Sequence, residues 1–315
     1  MQLRQALNSA IERLTSDGVS SPRMNAELLI MFTLDCDRAY LYAHPERALT
    51  ADEVLRYDEA VARRSTGMPA QYITGHQEFW GVDLIVSPAV LIPRPETEHV
   101  VEAVLEIVRG RGSSHGQNQN QDQEPQRRTG VSALHARGAL ATASGAPALR
   151  LIDVGVGSGA IALALAQELP SAEIHATDIS VQALEIARVN AARHDLTSRV
   201  KFHRGDLLAG LPLEHFDLVV SNPPYVGECE EDSVQLEVRK FEPRNAVFAG
   251  PKGLEVIERL IPQAREALIP HGWLVFEISG TIVDGVRRLL AGWADVEIRD
   301  DLQGIARVAI ARKPR

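Results

Sequence analysis

Two cysteines in 315 residues, Cys36 and Cys229, lie far apart and form no Cys-x-x-Cys or Cys/His spacing. A zinc site is therefore not expected, and thiols this sparse fit a reducing compartment. An excess of positive charge is also missing: 33 Lys and Arg stand against 42 Asp and Glu, a net charge of −9. That balance argues against a nucleic-acid backbone as the main partner and suits a basic protein partner. No stretch approaches the ~20 apolar residues of a membrane span. Met1-Gln2-Leu3-Arg4-Gln5 lacks the apolar core of a signal peptide. A soluble, cytoplasmic, monomeric protein without a membrane partner is expected. Hydrophobic residues make up 45% and charged residues 24% of the chain, an ordinary globular balance. At about 150 residues per domain, the length suggests two domains.

Residues 1–70 read as a small helical bundle. Met24, Leu28 and Met31 recur at helical spacing, with Ile30 and Leu34 widening the stripe, so this face is expected in the core. Ser21-Pro22 has the form of an N-cap followed by proline at the first helical position. Thr50-Ala51-Asp52-Glu53 has the capping-box pattern and predicts a helix to about Arg64, which Gly67-Met68-Pro69 ends. Over 71–93, Glu78-Phe79-Trp80-Gly81 and Val82–Val86 predict a β-hairpin connector. Helical spacing returns from Glu96 to about Val108. Residues 110–148 open on a Gln-rich tract nearly free of apolar side chains. They predict a disordered insertion, because such a segment buries too little surface to offset its ordering entropy.

From Leu149 onward strands and helices alternate. Strands are expected over 150–154, 173–177, 200–203, 216–221 and 273–278, and helices over 160–168, 181–194, 254–268 and 283–291. Two last strands fall near 296–299 and 306–311. This alternation predicts an α/β protein with a mostly parallel, doubly wound sheet. The short Asp300–Gly304 connection has no room for a crossover helix and predicts one antiparallel strand at the sheet's end.

Chemistry-bearing residues gather at the strand ends. Gly155-Val156-Gly157-Ser158-Gly159 follows the first strand, where glycines allow a tight turn and let a ligand approach the backbone. The spacing is not that of dinucleotide binders, and no P-loop Lys-Ser/Thr follows, which disfavours nucleotide-triphosphate hydrolysis. Asp178 ends the second strand, where a carboxylate accepts ribose hydroxyls. Asp206 and Leu207 lie past the third, at the rim where an adenine would sit. Asn222-Pro223-Pro224-Tyr225 follows the fourth. The prolines remove two backbone donors and stiffen the turn, so a side-chain amide, bare carbonyls and an aromatic ring meet at one point. That set suits holding a planar nitrogen. A cofactor loop beside such a clamp is explained by methyl transfer from S-adenosylmethionine to an amide, amine or nucleobase nitrogen.

Asp153–Gly159, Asp178 and Asn222–Tyr225 together resemble class I S-adenosylmethionine-dependent methyltransferases acting on planar nitrogens. Gln77–Gly81, Leu91–Glu98 and Arg239–Arg244 narrow the resemblance to the release-factor glutamine methyltransferase family (HemK/PrmC), across nearly the whole chain. The resemblance implies a seven-stranded sheet in a methyltransferase domain over 94–315, with 1–70 recognising the substrate and 71–93 connecting them. It implies S-adenosylmethionine as cofactor and peptide-chain release factors as partners, with N5 of the Gly-Gly-Gln glutamine as acceptor. Asn222, Pro223, Pro224 and Tyr225 would hold the glutamine, and Thr97 would lie near the cofactor. Other occupants of the same turn are a ribosomal-protein glutamine or a nucleic-acid base; a non-catalytic cofactor-binding scaffold is a further alternative. Two departures stand out. The 112–147 segment is longer than the family's link, and Leu207 replaces an aromatic residue found in some members.

Overall fold

The computed structural model describes residues 1–113, 148–211 and 215–315. In chain order the first elements are α1 (Leu3–Ser16), α2 (Pro22–Leu34), α3 (Arg38–Ala43), α4 (Ala51–Ser65), α5 (Ala70–Thr74), β1 (His76–Phe79), β2 (Val82–Ile85) and α6 (Glu98–Ser113). They are followed by β3 (Arg150–Val154), α7 (Ala160–Glu168), β4 (Glu173–Asp178), α8 (Val181–Arg193), β5 (Val200–Arg204) and β6 (Phe216–Ser221). Then come β7 (Val226–Gly227), α9 (Leu236–Phe241), α10 (Arg244–Val247), β8 (Phe248–Gly250), α11 (Glu255–Ala267), β9 (Leu268–Glu277), α12 (Val283–Leu289), β10 (Ala294–Asp300) and β11 (Ala306–Arg312). The insertion expected over 110–148 lies, from 114 to 147, outside the described residues, and its first positions continue α6 beyond the expected end near Val108.

The chain divides into two compact units, Met1–Pro93 with Pro224–Glu255 and Arg94–Pro223 with Val256–Arg315. In the first, Leu3 and Leu14 of α1, Leu29 and Ile30 of α2, and Tyr57 of α4 form the core. The capping box of α4 is made in full: Thr50 Oγ1 accepts the Glu53 N–H at 3.2 Å, and Glu53 accepts the Thr50 N–H at 2.9 Å. Ser21 is the N-cap of α2 and Pro22 its first residue, as expected, but Ser21 sits at φ 50° and its side chain makes no cap hydrogen bond. The expected stripe is rotated, since Met24 is 57% exposed while Ala26, Leu29 and Ile30 are buried. Helix α2 is apolar on more than one side, and polar partners decide which side turns inward. Buried Asn25 accepts from Arg64 Nε at 2.8 Å, and buried Glu27 accepts from the Tyr42 hydroxyl at 2.9 Å.

The hairpin is also shorter than expected. Phe79 pairs with Val82, and Trp80 and Gly81, at φ 54° and 70°, are the turn itself rather than strand. Positive φ at both central positions gives the twist a two-residue hairpin needs. Elements α9, α10, β7 and β8 belong to this unit too. Buried Arg64 donates to Glu237 of α9 at 2.8 Å, and Glu242 accepts the Ile92 N–H at 3.1 Å.

The second unit is built on a seven-stranded sheet in the order β10-β11-β9-β6-β3-β4-β5. Leu151, Ile152 and Val154 of β3 and Leu218, Val219 and Val220 of β6 are fully buried, as strands covered on both faces must be. The antiparallel strand is β11, which runs against both β9 and β10 and lies one place in from the edge. The expectation of an antiparallel strand at the edge is corrected: β10 occupies the edge, and the short turn inserts β11 beside β9. From β3 the chain builds outward through β4 and β5, then returns to β6 on the other side. The ends of β3 and β6 therefore flank the point where the winding reverses, the usual ligand crevice of such sheets.

Candidate active site at the ends of β3 and β6

Asp153, near the end of β3, is 1% exposed. Its Oδ2 accepts the Ala162 N–H at 3.1 Å and so satisfies a donor in the first turn of α7. Its Oδ1 has no hydrogen-bond partner among the described residues. Burial pushes this carboxyl up to about 7, against the pull of the Ala162 N–H and with a smaller push from Asp178. Buried Thr177, on β4, likewise carries an unpartnered hydroxyl.

The glycine loop is anchored from β4. Gly155 and Val156 donate to the Thr177 carbonyl at 2.8 and 2.9 Å, and Gly157 donates to Asp178 Oδ2 at 3.0 Å. Gly155 and Gly157, at φ 78° and 53°, face open space where a Cβ would stand. The loop backbone is thus bare toward a ligand. Gly159 does a different job: a Cβ there would lie 3.1 Å from Leu163 and 3.5 Å from Ala187, so its bareness lets α7 and α8 pack. Val156 and Ser158 are buried. Asn190 of α8, fully buried, donates to the Ser158 carbonyl at 2.8 Å. Sequence reasoning missed Asn190, although it stands on the apolar face with Ala183 and Ala187, where an amide needs a partner.

Asp178 Oδ1 accepts the Ser180 N–H at 2.8 Å. Burial pushes its carboxyl up, while backbone bonds from Gly157, Ser180 and Ile179 pull it down. These backbone N–H groups leave part of the carboxylate's acceptor capacity for a ligand. Asp206 is placed differently: its carboxylate forms an ion pair with Arg259, both side chains about half exposed (48% and 51%). Leu207 follows at φ 57°, half-buried, in a tight turn closed by the Ala209 N–H on the Asp206 carbonyl.

At the end of β6, Ser221 donates to the Val154 carbonyl at 2.7 Å. Val154 pairs with Ser221 in register, so Gly155 and Asn222 are the first residues beyond neighbouring strands. Asn222 is half-buried, and its Nδ2 donates to Thr97 Oγ1 at 3.1 Å. Thr97, 3% exposed in the turn ahead of α6, donates to Glu277 Oε2 at 2.5 Å. Glu277, 1% exposed, ends β9 and was not anticipated from sequence. Pro223 is buried; Pro224 and Tyr225 are half-buried and lead into β7. Gly253, at φ 82°, turns so tightly against Tyr225 that a Cβ would come 2.6 Å from the Tyr225 carbonyl oxygen.

This arrangement offers bare loop backbone, a carboxylate with spare acceptors and an amide of fixed position at adjacent strand ends. Known proteins place it in a context. A family model described as the PrmC N-terminal domain matches residues 5–75, and one described as the methyltransferase small domain matches residues 139–239. The release factor glutamine methyltransferase of Koribacter versatilis (strain Ellin345) is 49% identical over 315 residues, spanning 100% of this chain and 99% of that protein. That of Moorella thermoacetica is 38% identical over 314 residues, spanning 99% and 98%. Among solved structures, the catalytic domain of hMettl16 in complex with the MAT2A 3'UTR hairpin 6 shares the fold, with a TM-score of 0.51 at 16% identity over 87% of this chain and 92% of that one.

Proposed function

The chain belongs to the release factor glutamine methyltransferase family, and from that premise we propose how its residues carry out the reaction. It transfers a methyl group from S-adenosylmethionine to N5 of the Gly-Gly-Gln glutamine of a peptide-chain release factor. The observation that carries this reading is the Val154–Ser221 pairing, which sets the glycine loop beside Asn222.

The residues fit the cofactor. Unpartnered Asp153 Oδ1 and the open faces of Gly155 and Gly157 ask for a polar ligand lying on the loop. Gly155–Gly159 would receive it on the backbone, and Asp178 would accept from its hydroxyls. Leu207 would offer an apolar contact, while Asp206 would give up or share Arg259 to take part. When bound, S-adenosylmethionine supplies an activated methyl group on sulfur.

The acceptor is a primary amide, a poor nucleophile because its lone pair is delocalised, so the chain's task is to aim it. Asn222 Oδ1 and the Pro223 carbonyl would accept its two N–H bonds, and Tyr225 would pack on its face and exclude water. Pro223 and Pro224 have no N–H of their own to compete for those acceptors. The gain is proximity and orientation against preorganised acceptors. The proton leaves during or after transfer, as the methylated nitrogen becomes acidic. We read the enzyme as a cytoplasmic monomer that needs no nucleic acid, in keeping with its release-factor substrate and its net charge of −9. Radiolabelled S-adenosylmethionine offered with release factor, ribosomal protein, DNA and RNA in parallel tests the assignment. Label is expected in the release factor; label in nucleic acid would overturn it.

A further inference from the structure

We propose that Glu277, acting through Thr97, decides which end of the Asn222 amide faces the substrate. The inference rests on the reading of Asn222 as the glutamine clamp. An Asn side chain has nearly the same shape in either of its two flipped orientations, yet only one serves here. With Oδ1 toward the glutamine the amide accepts an N–H; with Nδ2 in that place, two donors oppose each other.

The bonding around Thr97 removes the choice. Its hydroxyl has one proton to give and lone pairs to receive with. Glu277 Oε2 lies 2.5 Å from Thr97 Oγ1, within the range of a charge-assisted O–H···O⁻ bond. Thr97 Oγ1 donates to Glu277 Oε2, so its one proton is committed to that bond. Toward Asn222, 3.1 Å away, the same oxygen is then purely an acceptor, and the amide must present Nδ2. Oδ1 is left as the end turned away from Thr97. Both Thr97 and Glu277 are almost fully buried, at 3% and 1%, so water does not readily substitute for either partner. The strand register supplies Glu277: Ser221 pairs with Phe276, and continuing that pairing by one residue brings Glu277 level with Asn222. Glu277 and Thr97 are therefore positioning residues.

The experiment compares wild type, Thr97→Ser, Thr97→Val, Glu277→Gln and the Thr97→Val/Glu277→Gln double variant. Each is assayed for methyl transfer to release factor, for S-adenosylmethionine affinity by calorimetry and for melting temperature. Loss of one orienting hydrogen bond should lower kcat by about 5- to 30-fold in Thr97→Val and in Glu277→Gln. Thr97→Ser keeps the hydroxyl and should stay within about twofold of wild type. The double variant should be no worse than the poorer single variant, because both act along one path. Cofactor affinity should be unchanged throughout. Wild-type kcat in either single variant would overturn the proposal. So would a matching loss of cofactor affinity, which would make Thr97 a cofactor contact, or fully additive effects. An inactive wild type would instead refute the clamp reading on which the inference rests.

Discussion

The role proposed for Asn222 is to hold a nitrogen that does not attack readily on its own. Removing its amide should therefore cost what one preorganised polar contact is worth in catalysis. Asn222→Ala should lower turnover by about 10²–10³-fold with cofactor affinity kept; near wild-type turnover would show that the amide does not clamp. Asp178 carries a different load, since it braces Gly157 and Ser180 besides its proposed contact with the cofactor. Asp178→Ala should weaken S-adenosylmethionine binding by about tenfold or more, the worth of a hydrogen bond to a charged group. Unchanged affinity by calorimetry would remove it from the site. Asp153 makes a pH-dependent contribution. Its carboxyl titrates near 7 in the folded protein against 3.8 for an ordinary Asp. Between those values the folded state holds a proton that the unfolded state has lost, so stability falls as pH rises through that window. The melting temperature of Asp153→Asn, relative to wild type without cofactor, should rise from pH 4 to about pH 7 and level off above that. A constant difference would show that Asp153 titrates normally.

Elements differ in how openly the sequence announces them. The parallel strands were legible because strands buried on both faces are written as apolar runs, as in Leu218-Val219-Val220, and the glycines mark the turn that follows β3. Helix α7 begins and ends where its composition said it would, at Ala160 and Glu168. The buried side of α2 is not legible in its own sequence, because several sides are apolar and contacts with Arg64 and Tyr42 fix the inward one. Trp80-Gly81 reads as strand in the sequence because a tryptophan at positive φ is uncommon. The site was half legible for the same reason. The glycine loop and the Asn-Pro-Pro-Tyr turn are contiguous motifs, whereas Asn190 and Glu277 matter only through contacts with Ser158 and Thr97. The segment 224–250 showed the least, because β7, β8 and α10 are short. Its most exacting position is Gly253. Gly253→Ala combines a positive φ of 82° with a 2.6 Å clash on the Tyr225 carbonyl. It should cost about 1–3 kcal/mol and shift the backbone of Tyr225. A melting temperature equal to wild type would mean that the turn yields freely.

For the molecule as a whole, substrate choice is the defining property. The acidic run Glu228–Asp232 lies just beyond the Asn-Pro-Pro-Tyr turn, and part of it is already matched within the chain. Arg244 pairs with Glu231 at 2.7 and 2.9 Å, and Arg239 with Asp232 at 3.2 Å. The net charge of −9 therefore gives a general bias toward a basic protein rather than a built docking site. On the proposed reading, the Asn-Pro-Pro-Tyr turn selects which nitrogen is methylated. Tandem mass spectrometry of purified release factor, after incubation with this protein and S-adenosylmethionine, tests that most directly. A single methyl group on the side-chain nitrogen of the Gly-Gly-Gln glutamine, formed far more slowly with Asn222→Ala, is the expected result. A methyl group on any other residue, or an unmodified release factor with active wild-type protein, would contradict it.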